Sequence, residues 1–352
     1  MIISRTPFRL SFFGGGTDYP GWFLKNGGAV LATTIDKYCY LNCRYYPPFF
    51  EHRIRAVYSQ SENCQTIDEI SHPAIRGVLQ YLKWDRGVEI HHVADLPARG
   101  GLGTSSSFTV GLLHALHALN GRISSKKDLA FESLHVEQDL LKETVGSQDQ
   151  VSAAYGGFNH IAFDTNGAFQ VTPMTLPPER IAELDRHLML FYTGIKRTAS
   201  DVADSYVADI ETKRKQLEAT AELVNESISL LDSGNDIQEF GKLLNEGWKV
   251  KRSFSSKVSN SEVDEMYDLA ISAGAVGGKI AGAGGGGFMT LFVPPDRQDQ
   301  VRERLNRFIH VPFKFETSGS QVIFHDAQEN YDVLERDLAE RPIAEFRELE
   351  AQ

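Results

Sequence analysis

The residues best suited to chemistry lie in one short run, Pro97-Ala98-Arg99-Gly100-Gly101-Leu102-Gly103-Thr104-Ser105-Ser106-Ser107, which leads directly into an apolar-periodic segment. Glycines let the backbone pass close to a ligand and take positive φ. The hydroxyl residues fall where a helix begins, at its N-cap and first turn. The first N–H groups of a helix have no partner within it and carry the positive end of its dipole, so they suit a phosphate. A hydroxyl there can also ligate Mg²⁺, which takes oxygen donors shared with phosphates. The run therefore reads as a phosphate-binding turn; a plain glycine loop with an ordinary cap is the alternative. It is not a Walker A loop, because no G-x-x-x-x-G-K-[ST] occurs. The nearest approach, Gly277-Gly278-Lys279-Ile280, lacks the hydroxyl.

Two further glycine clusters stand out. Gly282-Ala283-Gly284-Gly285-Gly286-Gly287 formally contains G-x-G-x-x-G, but a strand-like run, Phe288–Val293, follows where a dinucleotide fold needs a helix. Such a run costs backbone entropy on folding, so close backbone approach to something is expected, or else a tight turn before a strand. Near the start, Phe12-Phe13-Gly14-Gly15-Gly16-Thr17-Asp18-Tyr19 places a hydroxyl and a carboxylate after a strand. That is chemistry fit for sugar hydroxyls, and an Asx-turn at Asp18 would account for it equally.

For a base, Gly146-Ser147-Gln148-Asp149-Gln150 offers Asp149, a carboxylate able to take or orient a hydroxyl proton during phosphoryl transfer. Glu137, upstream on a helix, could complete a Mg²⁺ site with Ser105. Spacing alone also allows Asp149 to be a helix N-cap and Glu137 a surface residue.

The elements that must position these groups alternate in type. Ile2–Arg5, Ala29–Cys43, Val88–Val93 and Phe158–Phe163 read as strands, and Ser107–Asn120 and Lys126–Lys142 as helices. A proline-rich stretch, Pro173 to Pro178, marks a boundary between domains at 1–175 and 176–352. Beyond it, a strand at Leu188–Tyr192 precedes helices near Ala199–Ser233, Ile237–Val250 and Glu262–Ala273, with Asp201 near the first start and Gly234 after its end. Phe288–Val293 and Gln321–Phe324 then suggest an α+β domain with an antiparallel sheet. The tail, Asn330–Gln352, reads as one exposed charged helix.

Composition bounds the function. The chain has 352 residues, 41% hydrophobic and 24% charged, with a net charge of -11, which lacks the basic footprint a nucleic-acid binder needs. Cys39, Cys43 and Cys64 form no metal spacing and leave one over, so a reducing cytoplasm is expected. The start, MIISRTPFRLSFF, has no signal-peptide core, and no apolar run is long enough to span a membrane.

Taken in order, these segments resemble the GHMP kinases, the superfamily of galactokinase, homoserine kinase, mevalonate kinase and phosphomevalonate kinase. Pro97–Ser106 is similar to its phosphate-loop signature, KIAGAGGGGF at Lys279–Phe288 to its C-terminal glycine motif, and GSQDQ to the stretch carrying the catalytic Asp of galactokinase-type members. More narrowly, RTPFRLSFFGGGTDYP at Arg5–Pro20, TTIDKYCY at Thr33–Tyr40 and VGSQDQ at Val145–Gln150 resemble D-glycero-D-manno-heptose 7-phosphate kinases. GGGTDY stands where galactokinases carry G-E-H-x-D-Y.

The resemblance implies an N-terminal domain of the ribosomal protein S5 domain 2 type and a ferredoxin-like C-terminal domain, with the active site between them. It implies Asp149 as catalytic carboxylate with Arg9 beside it, and Gly100, Gly101, Leu102, Gly103, Thr104, Ser105 and Ser106 around the ATP phosphates. Ser105 and Glu137 would hold Mg²⁺. Gly15, Gly16, Thr17, Asp18 and Tyr19 would hold the sugar, and Ala283, Gly284, Gly285 and Gly286 would close over it. Lys196-Arg197 would meet the substrate's own phosphate, with Arg197 as its ligand. The partners expected are ATP, a sugar phosphate and a second copy of the chain as a homodimer, with neither nucleic acid nor membrane. The expected reaction is phosphorylation of the anomeric hydroxyl of a heptose 7-phosphate. A hexose kinase of galactokinase or fucokinase type and a non-catalytic sugar and nucleotide sensor are the alternatives.

Overall fold

Strand β1 (Ile2–Phe13) and strand β2 (Gly28–Tyr45) are rich in β-branched and aromatic residues and pair antiparallel from Ile2↔Cys43 to Phe13↔Leu31. The connection between them holds the Gly14–Tyr19 loop and helix α1 (Pro20–Asn26). The computed structural model describes residues 1–195, 203, 205, 207, 210–326, 331, 333, 334, 336 and 337.

Strands β3 (Ile54–Val57), β4 (Ser61–Cys64) and β5 (Val88–Ala94), with helix α2 (Pro73–Tyr81), extend one edge. Helix α3 (Thr104–Leu119), helix α4 (Lys126–Leu134) and helix α5 (Gln148–Tyr155) follow, then strands β6 (Asn159–Phe163) and β7 (Phe169–Pro173). Helix α6 (Pro178–His187) leads into β8 (Leu188–Tyr192). Among the described residues, the helices Arg214–Asp232, Gln238–Arg252 and Ser261–Ser272 lie between β8 and β9 (Gly277–Ile280), which β10 (Phe288–Phe292) follows. A short helix, Gln298–Arg304, precedes β11 (Ile309–Val311), β12 (Phe315–Glu316) and β13 (Gln321–His325).

Two sheets result. The first runs β13-β1-β2-β5-β3-β4, with β12 and β6 also on β2 and β7 on β6. The second is antiparallel in the order β11-β8-β10-β9, the strand order of a ferredoxin-like unit. The α+β expectation holds. Gln321–Phe324 is a strand as expected, but in the wrong sheet. Residues 315–325, assigned to the second domain, form β12 and β13 beside β2 and β1. Strand partners are chosen by non-local burial that local patterning does not report.

The sheets share apolar packing rather than standing apart. One core gathers Phe8, Leu10, Leu41 and Val110 with Phe288 and Leu190 of the second sheet. Another lies behind the second sheet around Phe191, Trp248 and Met289. A third bridges the two through Phe12 and Phe13, which meet Phe240 edge-on at 5.4 and 5.3 Å.

Candidate active site

Helix α3 begins at Thr104, three residues earlier than its periodicity suggests. Its N-cap is Gly103 at φ 71, with no side-chain cap. A left-handed N-cap needs glycine, so the hydroxyl residues fill the first turn instead of the cap. The N–H groups that a capping side chain would otherwise engage stay available to an anion. Space at Gly103 is also tight. A Cβ there would stand 3.2 Å from Arg9 Cγ and 3.4 Å from Asp149 Cγ, so the phosphate loop lies directly against that pair.

Arg9 and Asp149 come from opposite ends of the first unit. Arg9 sits in β1, buried at 3% exposure. Asp149 is in the first turn of α5, where the helix dipole favours a carboxylate. Arg9 Nε donates to Asp149 Oδ1 at 2.7 Å and Nη2 to Oδ2 at 2.9 Å, a bidentate fork that fixes the carboxylate's plane. Nη1 donates to the Gly101 carbonyl, tying the fork to the phosphate loop.

The glycine loop after β1 holds this arrangement from the other side. Asp18 is fully buried. It accepts from Gly16 N at 2.9 Å, Gln148 N at 3.2 Å and Gln148 Nε2 at 3.0 Å. It thus pins the start of α5, one residue before Asp149. Burial pushes its carboxyl up, the Gly16 N–H opposes this, and the Asp149 charge adds to it. Thr17 is fully buried and faces away, its Oγ1 within 2.8 Å of Gly14 O and 2.9 Å of Ala29 O.

These groups line a cavity of about 1030 Å³. Arg9, Gly15, Gly16, Asp18, Tyr19 and Asp149 reach it, as do Gly101, Gly103, Thr104, Ser105, Ser106 and Ala283. Gly100 and Leu102 do not. Gly100 O accepts from Phe288 N at 3.1 Å, and Leu102 is in the core with its carbonyl bonded to Arg9 N. Gly284, Gly285 and Gly286 are spent on packing against Val258 and Ile195 rather than on the cavity. Arg197 and Lys196 lie outside the described residues, as does most of the tail.

Part of the cavity is walled by rings. His72 stacks on Phe108 at 4.9 Å, Tyr58 meets His72 at 4.8 Å, and His92 meets Phe108 at 5.0 Å. Burial lowers His72 and takes His92 down to about 4, so this wall is uncharged near neutrality and suits a flat heterocycle.

Helix α4 continues as a π-helical turn at His135–Leu140, which shortens the helix expected over Lys126–Lys142 and carries Glu137. Glu137 accepts from Ser106 Oγ at 2.8 Å and from Gln150 Nε2. Its Oε1 is buried with no partner, and burial pushes the carboxyl up to about 7. An orphaned oxygen beside the first turn of α3 fits a cation shared with phosphates. Among the described residues no cluster of three metal-type side chains exists, and one carboxylate plus phosphate oxygens is the set such a Mg²⁺ uses.

Two lysines escaped the sequence reading. Lys279, set aside with its near-Walker glycines, points its Nζ to Phe12 O at 2.8 Å. Lys251, on helix Gln238–Arg252, donates to Ile280 O and Gly282 O. Both line the cavity beside Arg9. Lys251 sits in a helix end with Lys249 and Arg252, where sequence alone shows only a basic solvated face.

Family models for the "GHMP kinases N terminal domain" and "GHMP kinases C terminal" match residues 70–157 and 220–311. A "D-glycero-alpha-D-manno-heptose 7-phosphate kinase" of Campylobacter jejuni is 30% identical over 87% of this chain and 93% of its own. A galactokinase of Pyrococcus furiosus is 24% identical over 87% of this chain and 93% of its own. Among solved structures, a D-glycero-D-manno-heptose 1-phosphate kinase from Bacteroides thetaiotaomicron superposes with a TM-score of 0.76 at 25% identity. It covers 93% of this chain and 100% of that one.

Proposed function

The chain belongs to the GHMP kinases, as a sugar kinase of that type, and we propose that it phosphorylates the anomeric C1 hydroxyl of D-glycero-D-manno-heptose 7-phosphate with ATP. The products are the 1,7-bisphosphate and ADP. The observation that carries the reading is the Arg9–Asp149 fork held between the phosphate loop and the Gly15–Tyr19 loop, in a chain whose relative bears that substrate's name. In this reading the rings at His72 and Phe108 receive the adenine, and the first turn of α3 receives the phosphates. Gly15, Gly16, Asp18 and Tyr19 then face the sugar. The cytoplasm is its proposed location, consistent with three buried, unpaired cysteines. No helix among the described residues is long and apolar enough to cross a membrane.

The acceptor oxygen bonds to the γ-phosphorus as its bond to the bridging oxygen breaks, and ADP leaves with that electron pair. The hydroxyl proton passes to Asp149, whose plane Arg9 fixes. Ser105, Ser106 and the free Oε1 of Glu137 would hold Mg²⁺. When bound, the ion supplies charge neutralisation on the phosphates. The remaining contribution is positioning and electrostatics, as phosphoryl transfer requires.

A second reading places the acceptor as a heptose 1-phosphate, on the strength of the name of the solved neighbour. ADP release measured across heptose 7-phosphate, heptose 1-phosphate and free hexoses, with NMR of the product, separates these readings. Preferred turnover of a free hexose overturns the heptose reading, and preferred turnover of the 1-phosphate overturns the C1 position.

A further inference from the structure

The cavity wall contributed by the second sheet carries two cations whose role the preceding reading leaves unassigned. Lys279 is 9% exposed, and its ammonium meets only the Phe12 carbonyl. Lys251 is partly buried, and its ammonium meets only the carbonyls of Ile280 and Gly282. Among the described residues neither has an ion pair, whereas Arg9, close to both, is matched by Asp149. Removing an ammonium from water without a counter-charge is strongly unfavourable, and two together add mutual repulsion. Carbonyl dipoles offset only part of that.

The placement of the pair identifies what is missing. Gly282, which Lys251 bonds, lies against Gly101 of the phosphate loop, where a Cβ would stand 2.6 Å from the Gly101 Cα. Phe12, which Lys279 bonds, leads into the Gly14–Tyr19 loop. One lysine thus borders the donor's phosphate loop and the other the acceptor's loop, with the Arg9–Asp149 fork nearby. We propose that Lys251 and Lys279 form an oxyanion clamp for the phosphoryl group in transfer, completing from the second sheet the site that Arg9 and Asp149 begin on the first.

The proposal rests on the sugar-kinase reading but not on which sugar is used. It explains why two ammonium groups are held at an unfavourable place: an arriving phosphoryl anion supplies their counter-charge. Burial, then Arg9, brings Lys279 down to about 7, the Asp18 charge offsetting only part of this. Burial, then Lys279 and Arg9, brings Lys251 well below the usual lysine range. A dianion reverses both shifts.

The rival is a purely structural tie, each lysine fastening a glycine strand to its neighbour. Lys251→Met and Lys279→Met distinguish the two, with the sugar that the wild type turns over best. The clamp predicts a fall in kcat of about a hundredfold for each, comparable to losing one oxyanion donor, with KM for ATP and sugar changed less than about fivefold. It also predicts melting at or above the wild-type temperature, because an uncompensated charge has been removed. The deciding probe is fluoroaluminate with MgADP and that sugar, which mimics the phosphoryl group in transfer. It should stabilise the wild type and fail to stabilise either variant.

Fluoroaluminate binding as tight in the variants as in the wild type overturns the clamp, whatever their turnover. Lower melting with wild-type kcat also overturns it and establishes the tie. A loss confined to KM for phosphorylated sugars, with free sugars unaffected, overturns it in favour of a site for the acceptor's own phosphate. A wild type that releases no ADP with any sugar defeats the sugar-kinase reading itself, a result distinct from all of these.

Discussion

The two walls of the cavity handle charge differently. On the first wall, the Arg9 guanidinium and the Asp149 carboxylate satisfy one another through two hydrogen bonds of 2.7 and 2.9 Å. On the second, Lys251 and Lys279 reach only backbone carbonyls. A neutralised pair can be built before substrate arrives, and its worth lies in holding a carboxylate in one plane. Unmatched cations are unfavourable until an anion arrives, and their worth lies in that difference. Removing a charge should therefore lower turnover on either wall but raise stability only on the second.

Asp149→Asn should give the largest effect. It keeps the shape of the fork but offers Arg9 one acceptor and removes the group that takes the proton. We expect kcat to fall by about a thousandfold, within the usual range for a lost general base, with KM for ATP little changed. Steady-state ADP release measures this. Wild-type turnover would remove Asp149 from the mechanism and leave the first wall a positioning device only.

The glycines of the two walls give the next contrast. Gly282→Ala puts a Cβ 2.6 Å from the Gly101 Cα at a φ of 63, where neither backbone can yield. Gly103→Ala puts one 3.2 Å from Arg9 Cγ and 3.4 Å from Asp149 Cγ at a φ of 71, where side chains can shift. We expect about 3 kcal/mol of destabilisation from the first and about 1.5 kcal/mol from the second, with the second losing more activity per unit of stability. Urea midpoints and kcat on the same samples test this. A larger stability loss at Gly103 would reverse the assignment of packing to one segment and ligand approach to the other.

That contrast also shows what the sequence could reveal. The Pro97–Ser107 turn was legible because glycines, hydroxyls and a helical period are local signals, although the left-handed Gly103 moved the helix start from Ser107 to Thr104. Asp149 was legible only with the surrounding motifs, since carboxylates at helix starts are common. Gly284–Gly286, which the resemblance sets over the sugar, pack on Val258 and Ile195, a long-range contact that a glycine run does not report. Nothing local reports that Lys251 turns inward while Lys249, two residues away on the same helix, is paired at the surface with Glu246. Long-range strand pairing likewise hid the return of β13 to β1.

The last contrast is in the pH dependence of stability, where the walls should differ in sign. Glu137, behind the first wall, has its carboxyl raised by burial from 4.5 to about 7, with neighbouring side-chain donors opposing and the Glu143 charge adding. Its folded form binds the proton more tightly than its unfolded form, so its contribution is fully present below about 4.5 and is lost as pH rises through about 7. Lys279, facing Arg9, Asp18 and Lys251, is lowered from 10.5 to about 7. Its contribution is fully present above about 10.5 and is lost as pH falls through about 7. Without ligands, Glu137→Gln should therefore flatten the decline in stability between pH 5 and 7, and Lys279→Met the rise between 7 and 10, each by about 2 kcal/mol in urea unfolding. Mg²⁺ with ATP should erase the Glu137 slope, because a cation at Oε1 favours the carboxylate. If both variants left the profile as in the wild type, neither group would be held at an unfavourable place, and the contrast between the walls would fail.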